Sequence, residues 1–260
     1  IAEEHGALFA CGLAAEGMKP YIAIYSTFMQ RCIDMIQHDA ALQKLPVRFC
    51  MDRAGLSPDD GPTHHGLFDI AMIRSIPNIV FMQPKDEAEF VHMLRTMNHY
   101  QNGPTVIRYP RGCGAGTPVP AKAEILPIGK AEVLQTGRDV TLVSLGTMIG
   151  IARETASLLE ARGYTVTLIN ARFIKPLDDE CIRRHAARSR VVCTFEDHSI
   201  SGGFNSAVLE SLETGDVKTP VEAIAWPDQF IEHGSESILR KKYGLTAEAA
   251  LQKIITHLNS

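Results

Sequence analysis

The chain has 260 residues, of which 45% are hydrophobic and 22% are charged, a composition typical of a soluble globular protein. A net charge of −4 gives no electrostatic reason to expect nucleic acid or an anionic membrane as a partner. No apolar run approaches the roughly 20 residues that span a bilayer. The six cysteines form no CxxC pair and no zinc spacing, so we interpret them as reduced thiols of a cytoplasmic protein.

Runs of apolar, β-branched residues alternate with helical patterns, which predicts an α/β fold with two doubly wound, mainly parallel sheets. A stretch rich in Gly, Pro and Ala predicts a linker at 116–130 between domains 1–115 and 131–260. The predicted strands are 21–25, 47–52, 79–82, 105–108, 140–145, 165–170, 191–195 and 221–225. The predicted helices are 4–16, 28–43, 67–73, 87–98, 149–162, 179–188, 204–214 and 247–258, with Asp86 capping the fourth.

Two arginines follow predicted strands of the first domain. Arg53 and Arg111 come after the extended runs 47–52 and 105–109, so both are expected at the carboxyl edge of a parallel sheet. Planar guanidinium groups suit a phosphate monoester, although surface ion pairs are the alternative. Strand alternation directs Arg108 to the opposite face from Tyr109, and we interpret Arg108 as structural.

Other candidates are open to two interpretations on the residues alone. Glu3 opens a helix, where an acidic residue usually just complements the helix dipole. Phe28, which follows strand 21–25, is either core packing or a face for a flat ring, and Arg31 lies one helical turn further on. The loop 57–65 is either a solvated turn or a site in which an imidazole exchanges protons.

The order of these motifs carries a resemblance to a known family. Glu3 is followed by Tyr25-Ser-Thr-Phe28, Asp52-Arg53-Ala-Gly55, Asp60-Gly-Pro-Thr-His64 and Arg108-Tyr-Pro-Arg111-Gly112. Together they resemble the pyrimidine-binding domain of thiamine-diphosphate enzymes, and specifically the 1-deoxy-D-xylulose-5-phosphate synthase family. The segment from Glu196 to Ala207, with Gly202-Gly203, is similar to the transketolase C-terminal domain and is expected to be structural rather than phosphate-binding.

The resemblance implies a role for each matching residue. Glu3 meets the aminopyrimidine of the cofactor and is catalytic, whereas the neighbouring Glu4 is not. Three further residues implied to line the cofactor are Tyr25, Phe28 and Arg31. Asp60 and His64 form the implied catalytic pair, with His65 at a variable position, and Arg53 and Arg111 bind the substrate's phosphate.

The implied enzyme is a transferase that joins pyruvate and D-glyceraldehyde 3-phosphate with loss of CO₂, giving 1-deoxy-D-xylulose 5-phosphate for isoprenoid, thiamine and pyridoxal precursors. Its cofactors are thiamine diphosphate and Mg²⁺, and a cytoplasmic homodimer is implied. The Gly-Asp-Gly magnesium motif of such enzymes is absent from the sequence. We therefore expect an N-terminally incomplete first domain, no metal ligand in this chain, and no activity from the chain alone.

Two alternatives stay open. Another transketolase-family enzyme or the β-type subunit of a 2-oxo acid dehydrogenase would share much of the pattern, but a dehydrogenase has no need of two phosphate arginines. A scaffold module without catalysis is the second alternative. The joint presence of Glu3, Arg53, His64 and Arg111 speaks against it.

Overall fold

The computed structural model describes residues 1–259, and its first half alternates strands with helices. Its regular elements are helices α1 (Glu3–Ala15), α2 (Asp69–Ile73) and α3 (Glu87–His99), and strands β1 (Tyr21–Tyr25), β2 (Arg48–Asp52), β3 (Val80–Met82) and β4 (Thr105–Arg108). Asp86 caps α3 as predicted, because its side chain accepts a hydrogen bond from the Glu89 backbone nitrogen at 2.9 Å.

The second half repeats the alternation. Its strands are β5 (Glu132–Gln135), β6 (Val140–Ser144), β7 (Val166–Asn170), β8 (Phe173–Lys175), β9 (Val191–Ser199) and β10 (Val221–Trp226). Its helices are α4 (Ile149–Glu160), α5 (Asp179–Ala186), α6 (Phe204–Thr214), α7 (Glu236–Tyr243) and α8 (Ala247–Leu258). No helix within residues 1–259 is long and apolar enough to cross a membrane.

The strands form two sheets of mainly parallel pairs, which confirms the predicted fold class. The first sheet has the order β1-β2-β4-β3-β8, and the second has the order β10-β9-β6-β7-β5. Among the strands of residues 1–259, only β8 and β5 pair antiparallel, each at an edge. Strand β8 follows β7 in sequence but pairs with β3, so a strand from the second half completes the first sheet.

The helix predicted at 28–43 is wrong in kind. The chain forms a 3₁₀ helix over Ser26–Cys32 and then a π-helix over Met35–Ala41. In the first of these, Ser26, Met29 and Cys32 are all buried. A 3₁₀ helix has three residues per turn, so these residues form one buried stripe directly after β1. Phe28 and Arg31 belong to this 3₁₀ helix, which begins directly after β1.

A polar junction lies between the two sheets. Arg108, the last residue of β4, is completely buried and donates to both carboxylate oxygens of Asp69, at 2.8 and 3.0 Å, and to Gln83 at 2.6 Å. It also donates to the backbone oxygen of Asp197 in β9. Because every donor faces protein, Arg108 has the structural role that strand alternation predicts.

Candidate active site

The predicted site residues lie at one edge of the first sheet. Strands β1, β2 and β4 are parallel neighbours, so their carboxyl ends share that edge. Tyr25 ends β1, Arg53 directly follows β2, and Arg111 follows β4 by three residues. The backbone of Arg53 is left-handed, with φ of 54°. Such a conformation costs a non-glycine residue about 1–3 kcal/mol and is concentrated at functional sites.

Glu3 occupies the first turn of α1, and its two carboxylate oxygens differ in their surroundings. Its Oε1 accepts a hydrogen bond from Arg31 Nη1 at 3.1 Å. Its Oε2 is buried and has no hydrogen-bond partner within residues 1–259. A buried, unpaired carboxylate oxygen is costly. A hydrogen-bond donor on a ligand would therefore satisfy Glu3 Oε2.

Two aromatic rings form a platform beside this carboxylate. Tyr25 and Phe28 stack with centroids 5.7 Å apart and planes 15° apart. The guanidinium of Arg31 lies 5.0 Å from the centre of the Phe28 ring. His64 meets Phe28 edge-on, with centroids 5.3 Å apart. The platform thus joins the helix that carries Glu3 to the loop that carries His64.

A cluster of charges continues from the platform. The guanidinium of Arg53 lies 3.7 Å from the centre of the Tyr25 ring, and its Nη1 donates to Asp52 at 2.6 Å. Asp60 is shared by two arginines, because its Oδ2 accepts from Arg111 Nη1 at 2.8 Å and lies 3.8 Å from Arg53 Nε. That Arg53 Nε is buried without a hydrogen-bond partner in the described part of the chain.

All predicted site residues are therefore linked by direct contacts. One series of contacts runs from Glu3 through Arg31 to Phe28, which touches both Tyr25 and His64. A second runs from Tyr25 through Arg53 and Asp60 to Arg111. We call this set the contact network; its members are Glu3, Tyr25, Phe28, Arg31, Arg53, Asp60, His64 and Arg111.

The two histidines of the 57–66 loop differ in their surroundings. His65 is buried, and its Nδ1 accepts from the Ser57 backbone nitrogen at 3.0 Å, so this ring holds the loop together. Burial lowers the pKa of His65 below its ordinary value. His64 is only partly buried and its Nδ1 lies 2.8 Å from Thr63 Oγ1. The arrangement fits the choice of His64 as the active histidine.

Sequence reasoning missed some residues that shape the site. Thr27 Oγ1 donates to the Thr63 backbone oxygen at 3.2 Å and so joins the 3₁₀ helix to the loop of His64. A Cβ on Gly66 would lie 2.4 Å from the Arg53 backbone oxygen and 2.4 Å from Ser26 Oγ. Position 66 must therefore be a glycine, because any side chain there would collide with the Arg53 backbone and with Ser26. Two features of the sequence could have revealed these residues. Ser26-Thr27 lies between Tyr25 and Phe28, and Gly66 follows His64-His65.

The paired glycines Gly202 and Gly203 serve the fold. Both carboxylate oxygens of Glu196 accept from the α6 amino terminus, at 2.5 Å from Phe204 N and 2.8 Å from Asn205 N. A Cβ on Gly203 would lie 2.3 Å from Glu196 Oε2. Because a protein carboxylate fills this helix start, the segment is structural, as the sequence predicts, and not a phosphate site.

The residues present fit the pyrimidine of thiamine diphosphate. The unpaired Glu3 Oε2 can meet a ring nitrogen, and Tyr25 and Phe28 supply an aromatic surface nearby. The residues do not by themselves provide for a divalent cation. Within residues 1–259, no group of three or more His, Cys, Asp or Glu side chains is close enough to hold a metal.

Comparisons with known proteins agree with this geometry. Residues 1–115 match the family model "Transketolase, pyrimidine binding domain", and residues 129–249 match "Transketolase, C-terminal domain". A solved structure described as "Split gene transketolase, inactive beta4 tetramer" superposes with a TM-score of 0.89 at 30% identity, covering 100% of this chain and 82% of that one. The chain belongs to the transketolase family of thiamine-diphosphate enzymes.

Within that family, the similar relatives carry one particular name. The 1-deoxy-D-xylulose-5-phosphate synthase of Methylacidiphilum infernorum is 53% identical over 100% of this chain, and that of Acidobacterium capsulatum is 52% identical over 99%. The sequence resemblance to this synthase family is thereby confirmed. The chain spans 42% and 41% of the lengths of these two relatives.

Proposed function

We propose that these residues form the pyrimidine-binding side and the acceptor site of a 1-deoxy-D-xylulose-5-phosphate synthase. The enzyme would decarboxylate pyruvate and join the remaining two carbons to D-glyceraldehyde 3-phosphate. The observation that carries the proposal is the contact network. It brings a buried carboxylate, an aromatic platform, an imidazole and two arginines to one sheet edge.

Glu3 would position and activate the cofactor. Thiamine diphosphate, when bound, supplies the electron sink that decarboxylation of pyruvate requires. Glu3 Oε2 would share a proton with N1′ of the pyrimidine, while the bond from Arg31 to Oε1 fixes the carboxylate's orientation. Tyr25 and Phe28 would orient the ring by stacking.

Arg53 and Arg111 would bind the acceptor's phosphate. Asp60 now holds both guanidinium groups near one point, and a phosphate at the same point would share their donors. The buried Arg53 Nε has no hydrogen-bond partner within residues 1–259, so an anionic oxygen that reached it would satisfy it. His64, held beside the platform, would exchange a proton with the aldehyde oxygen of the acceptor.

The remaining parts of the proposal concern what lies beyond these residues. We assign the diphosphate and Mg²⁺ ligands to the part of the synthases' length that this chain does not match, so the chain alone would be inactive. The split-gene transketolase is itself described as an inactive β4 tetramer. We propose a homodimer in the cytoplasm for the complete enzyme.

The decisive experiment follows the products of the complete gene product. With thiamine diphosphate, Mg²⁺ and pyruvate, release of CO₂ should rise on addition of D-glyceraldehyde 3-phosphate, and mass spectrometry should detect 1-deoxy-D-xylulose 5-phosphate. Transfer of a two-carbon unit from a ketose phosphate would instead identify a transketolase. Calorimetry on residues 1–260 alone should show weak cofactor binding; micromolar, Mg²⁺-dependent binding would contradict the assignment of the diphosphate ligands.

A further inference from the structure

One carboxylate beside the contact network has no part in the proposed reaction as described so far. Asp52 ends β2, and its side chain is 26% exposed. Its Oδ2 accepts a hydrogen bond from Arg53 Nη1 at 2.6 Å, whereas its Oδ1 is buried without a hydrogen-bond partner within residues 1–259. A carboxylate that is mostly withdrawn from water is costly unless it is paired. The bond to Arg53 is therefore the interaction that accounts for Asp52 in the described part of the chain.

The left-handed backbone of Arg53 allows these two adjacent side chains to meet. Successive side chains of a strand point to opposite faces of the sheet, so neighbours in regular β structure point apart. With a φ of 54°, Arg53 leaves the strand geometry, and its guanidinium lies beside the carboxylate of the preceding residue. The strained backbone at position 53 thus gives Arg53 a partner that an extended backbone would not.

Two groups at the paired ends of β1 and β2 hold the Arg53 guanidinium. Tyr25 and Asp52 are register partners in the parallel pair, and the guanidinium carbon lies over the Tyr25 ring at 3.7 Å from its centre. A ring face restrains how far a guanidinium moves from the ring, but leaves the group able to turn over it. The hydrogen bond from Nη1 to Asp52 fixes that turn, because it is directional.

The choice of Nη1 decides which donors of Arg53 stay free. In a guanidinium, Nε and Nη2 share one edge and can donate two parallel bonds to a carboxylate or phosphate, whereas Nη1 lies off that edge. Asp52 engages Nη1, and Nε is buried without a hydrogen-bond partner within residues 1–259. That Nε lies 3.8 Å from Asp60 Oδ2, the oxygen that Arg111 also binds. The free edge of Arg53 therefore includes the nitrogen nearest the point that Asp60 shares between the two arginines.

We propose that Asp52 is a positioning residue of the acceptor site. By binding Nη1, it presents the Nε–Nη2 edge of Arg53 to the phosphate of D-glyceraldehyde 3-phosphate. The inference rests on the proposed function, because Asp52 acts through Arg53 and does not itself touch the phosphate. Without Asp52, the guanidinium turns over the Tyr25 ring and meets the phosphate with one donor in place of two.

Two other roles for Asp52 predict different kinetics. A carboxylate that only repelled the phosphate would lower the KM for the phosphorylated acceptor when it is removed. A carboxylate that only stabilised the fold would affect phosphorylated and unphosphorylated acceptors alike, and would do so whether or not Arg53 is present. A positioning role requires a higher KM, for the phosphorylated acceptor alone, and only while Arg53 is in place.

The test is a double-mutant cycle in the complete gene product, made of Asp52→Ala, Arg53→Ala and the double variant. Asp52→Asn keeps the size of the side chain and one acceptor oxygen, and it replaces Asp52→Ala in the cycle should the alanine variant fail to fold. Asp34→Ala is the matched control, because the Asp34 carboxylate is 72% exposed and pairs with His38 outside the contact network. Steady-state kinetics gives the KM for D-glyceraldehyde 3-phosphate and for D-glyceraldehyde.

We expect Asp52→Ala to raise the KM for D-glyceraldehyde 3-phosphate about tenfold, the loss of one charge-assisted bond. Asp52→Asn should raise it roughly threefold, since a neutral acceptor holds Nη1 about half as strongly. In the Arg53→Ala background, removing Asp52 should change this KM less than about twofold, because its partner is gone. The KM for D-glyceraldehyde should stay near the wild-type value in every variant, and Asp34→Ala should behave as the wild type does.

The same cycle separates failure of this inference from failure of the proposed function. If Arg53→Ala raises the KM for the phosphorylated acceptor and Asp52→Ala leaves it unchanged or lowers it, the phosphate site stands and the role of Asp52 is refuted. Equal effects of Asp52→Ala with and without Arg53, or equal losses for both acceptors, refute that role as well. A wild type that does not use D-glyceraldehyde 3-phosphate, or an Arg53→Ala enzyme with an unchanged KM for it, refutes the proposed function and the role of Asp52 with it.

Discussion

Glu3 and Glu4 are adjacent in the chain but differ in every physical respect that matters for catalysis. Glu3 is 8% exposed with one oxygen unpaired, whereas Glu4 is exposed to solvent. In the complete enzyme, Glu3→Ala should abolish exchange of the thiamine C2 proton because the pyrimidine loses its proton partner. Glu4→Ala should leave the exchange rate within a few fold. NMR of the C2 proton measures both, and equal losses would show that the carboxylate is misassigned.

Arg111 is the residue at which the proposed phosphate recognition can be tested apart from the earlier chemistry. Its side chain is 43% exposed and its ion pair is with Asp60 and Asp59, so its removal should not unfold the protein. A charge-assisted hydrogen bond contributes about 1.5–3 kcal/mol, so Arg111→Ala should raise the KM for D-glyceraldehyde 3-phosphate by roughly 10- to 150-fold.

The control for Arg111→Ala is a second acceptor substrate rather than a second variant. D-glyceraldehyde lacks the phosphate, so steady-state kinetics with it should be nearly indifferent to Arg111→Ala. Decarboxylation of pyruvate should also persist. A variant that loses both acceptors equally would assign Arg111 a structural role and remove the main support for a phosphorylated substrate.

Two glycines at helices are expected to respond in opposite ways to substitution by alanine. A Cβ on Gly203 would lie 2.3 Å from Glu196 Oε2 and 2.7 Å from His198 Nδ1, whereas a Cβ on Gly150 in α4 meets nothing within 4 Å. Gly203→Ala should therefore cost about 1–3 kcal/mol of unfolding free energy. Gly150→Ala should gain roughly 0.5–1 kcal/mol, since alanine is the better helix former. Urea unfolding measures both, and a neutral Gly203→Ala would contradict the tight packing at the start of α6.

The end of β9 carries a buried imidazole that should make the fold acid-sensitive. His198 is fully buried, its Nδ1 donates to the Ser199 oxygen, and its Nε2 accepts from the Ala71 nitrogen. Burial lowers its pKa from 6.5 to about 4. The imidazole therefore binds a proton more readily in the unfolded chain than in the folded one. The contribution of neutral His198 to the free energy of unfolding is complete above pH 6.5 and is lost as the pH falls through 4.

His198→Gln removes that titration while keeping an amide donor and an acceptor. Between pH 7 and pH 4, the unfolding free energy of the wild type should fall more than that of the variant, by roughly 3 kcal/mol at most. Unfolding titrations at several pH values measure the difference. Parallel pH profiles would show that the imidazole is not what links the fold to pH in this range.

The sequence predicts most elements because their patterns are long and local. The bounds of β1, β4, α6 and α8 are confirmed as predicted. It misses β8, which has three residues and is a strand only because it pairs with β3 of the other sheet. It also misses the edge strand β5 and the polar helix α7, which lack a clear apolar stripe. The 3₁₀ and π-helices at 26–41 depend on how this segment packs in the folded domain. Hydrophobic periodicity alone does not reveal that packing.

The arrangement of the first sheet explains why site residues spread over more than a hundred positions of the sequence lie together. Parallel strands place their carboxyl ends on one edge, so the residues after β1, β2 and β4 converge. The sequence predicts that convergence for Arg53 and Arg111. It does not predict that Asp60 ties the two arginines together, because the contact depends on the fold of a long loop.

The exposed face of helix α1 is where we expect the proposed homodimer to form. Its inner face is buried, yet Leu8 and Phe9 on the other face are 43% and 62% exposed. A helix that is apolar nearly all round is normally covered on all sides. We expect a second copy to cover it, which would place the interface beside Glu3, on the same helix.

Phe9→Lys in the complete enzyme tests this assembly. Two Phe9 rings, one from each copy, leave the interface, and each buried ring contributes about 1.5–3 kcal/mol, so the dimer Kd should rise at least about a hundredfold. Ile238→Lys is the matched control, because Ile238 is 66% exposed on α7 and far along the chain from α1. Sedimentation velocity over a range of concentrations should show monomers for Phe9→Lys and dimers for the control. Activity should fall with the dimer population, since the carboxylate of Glu3 lies on the helix that loses its cover. A Phe9→Lys enzyme that sediments as the wild type does would place the partner surface elsewhere on the molecule.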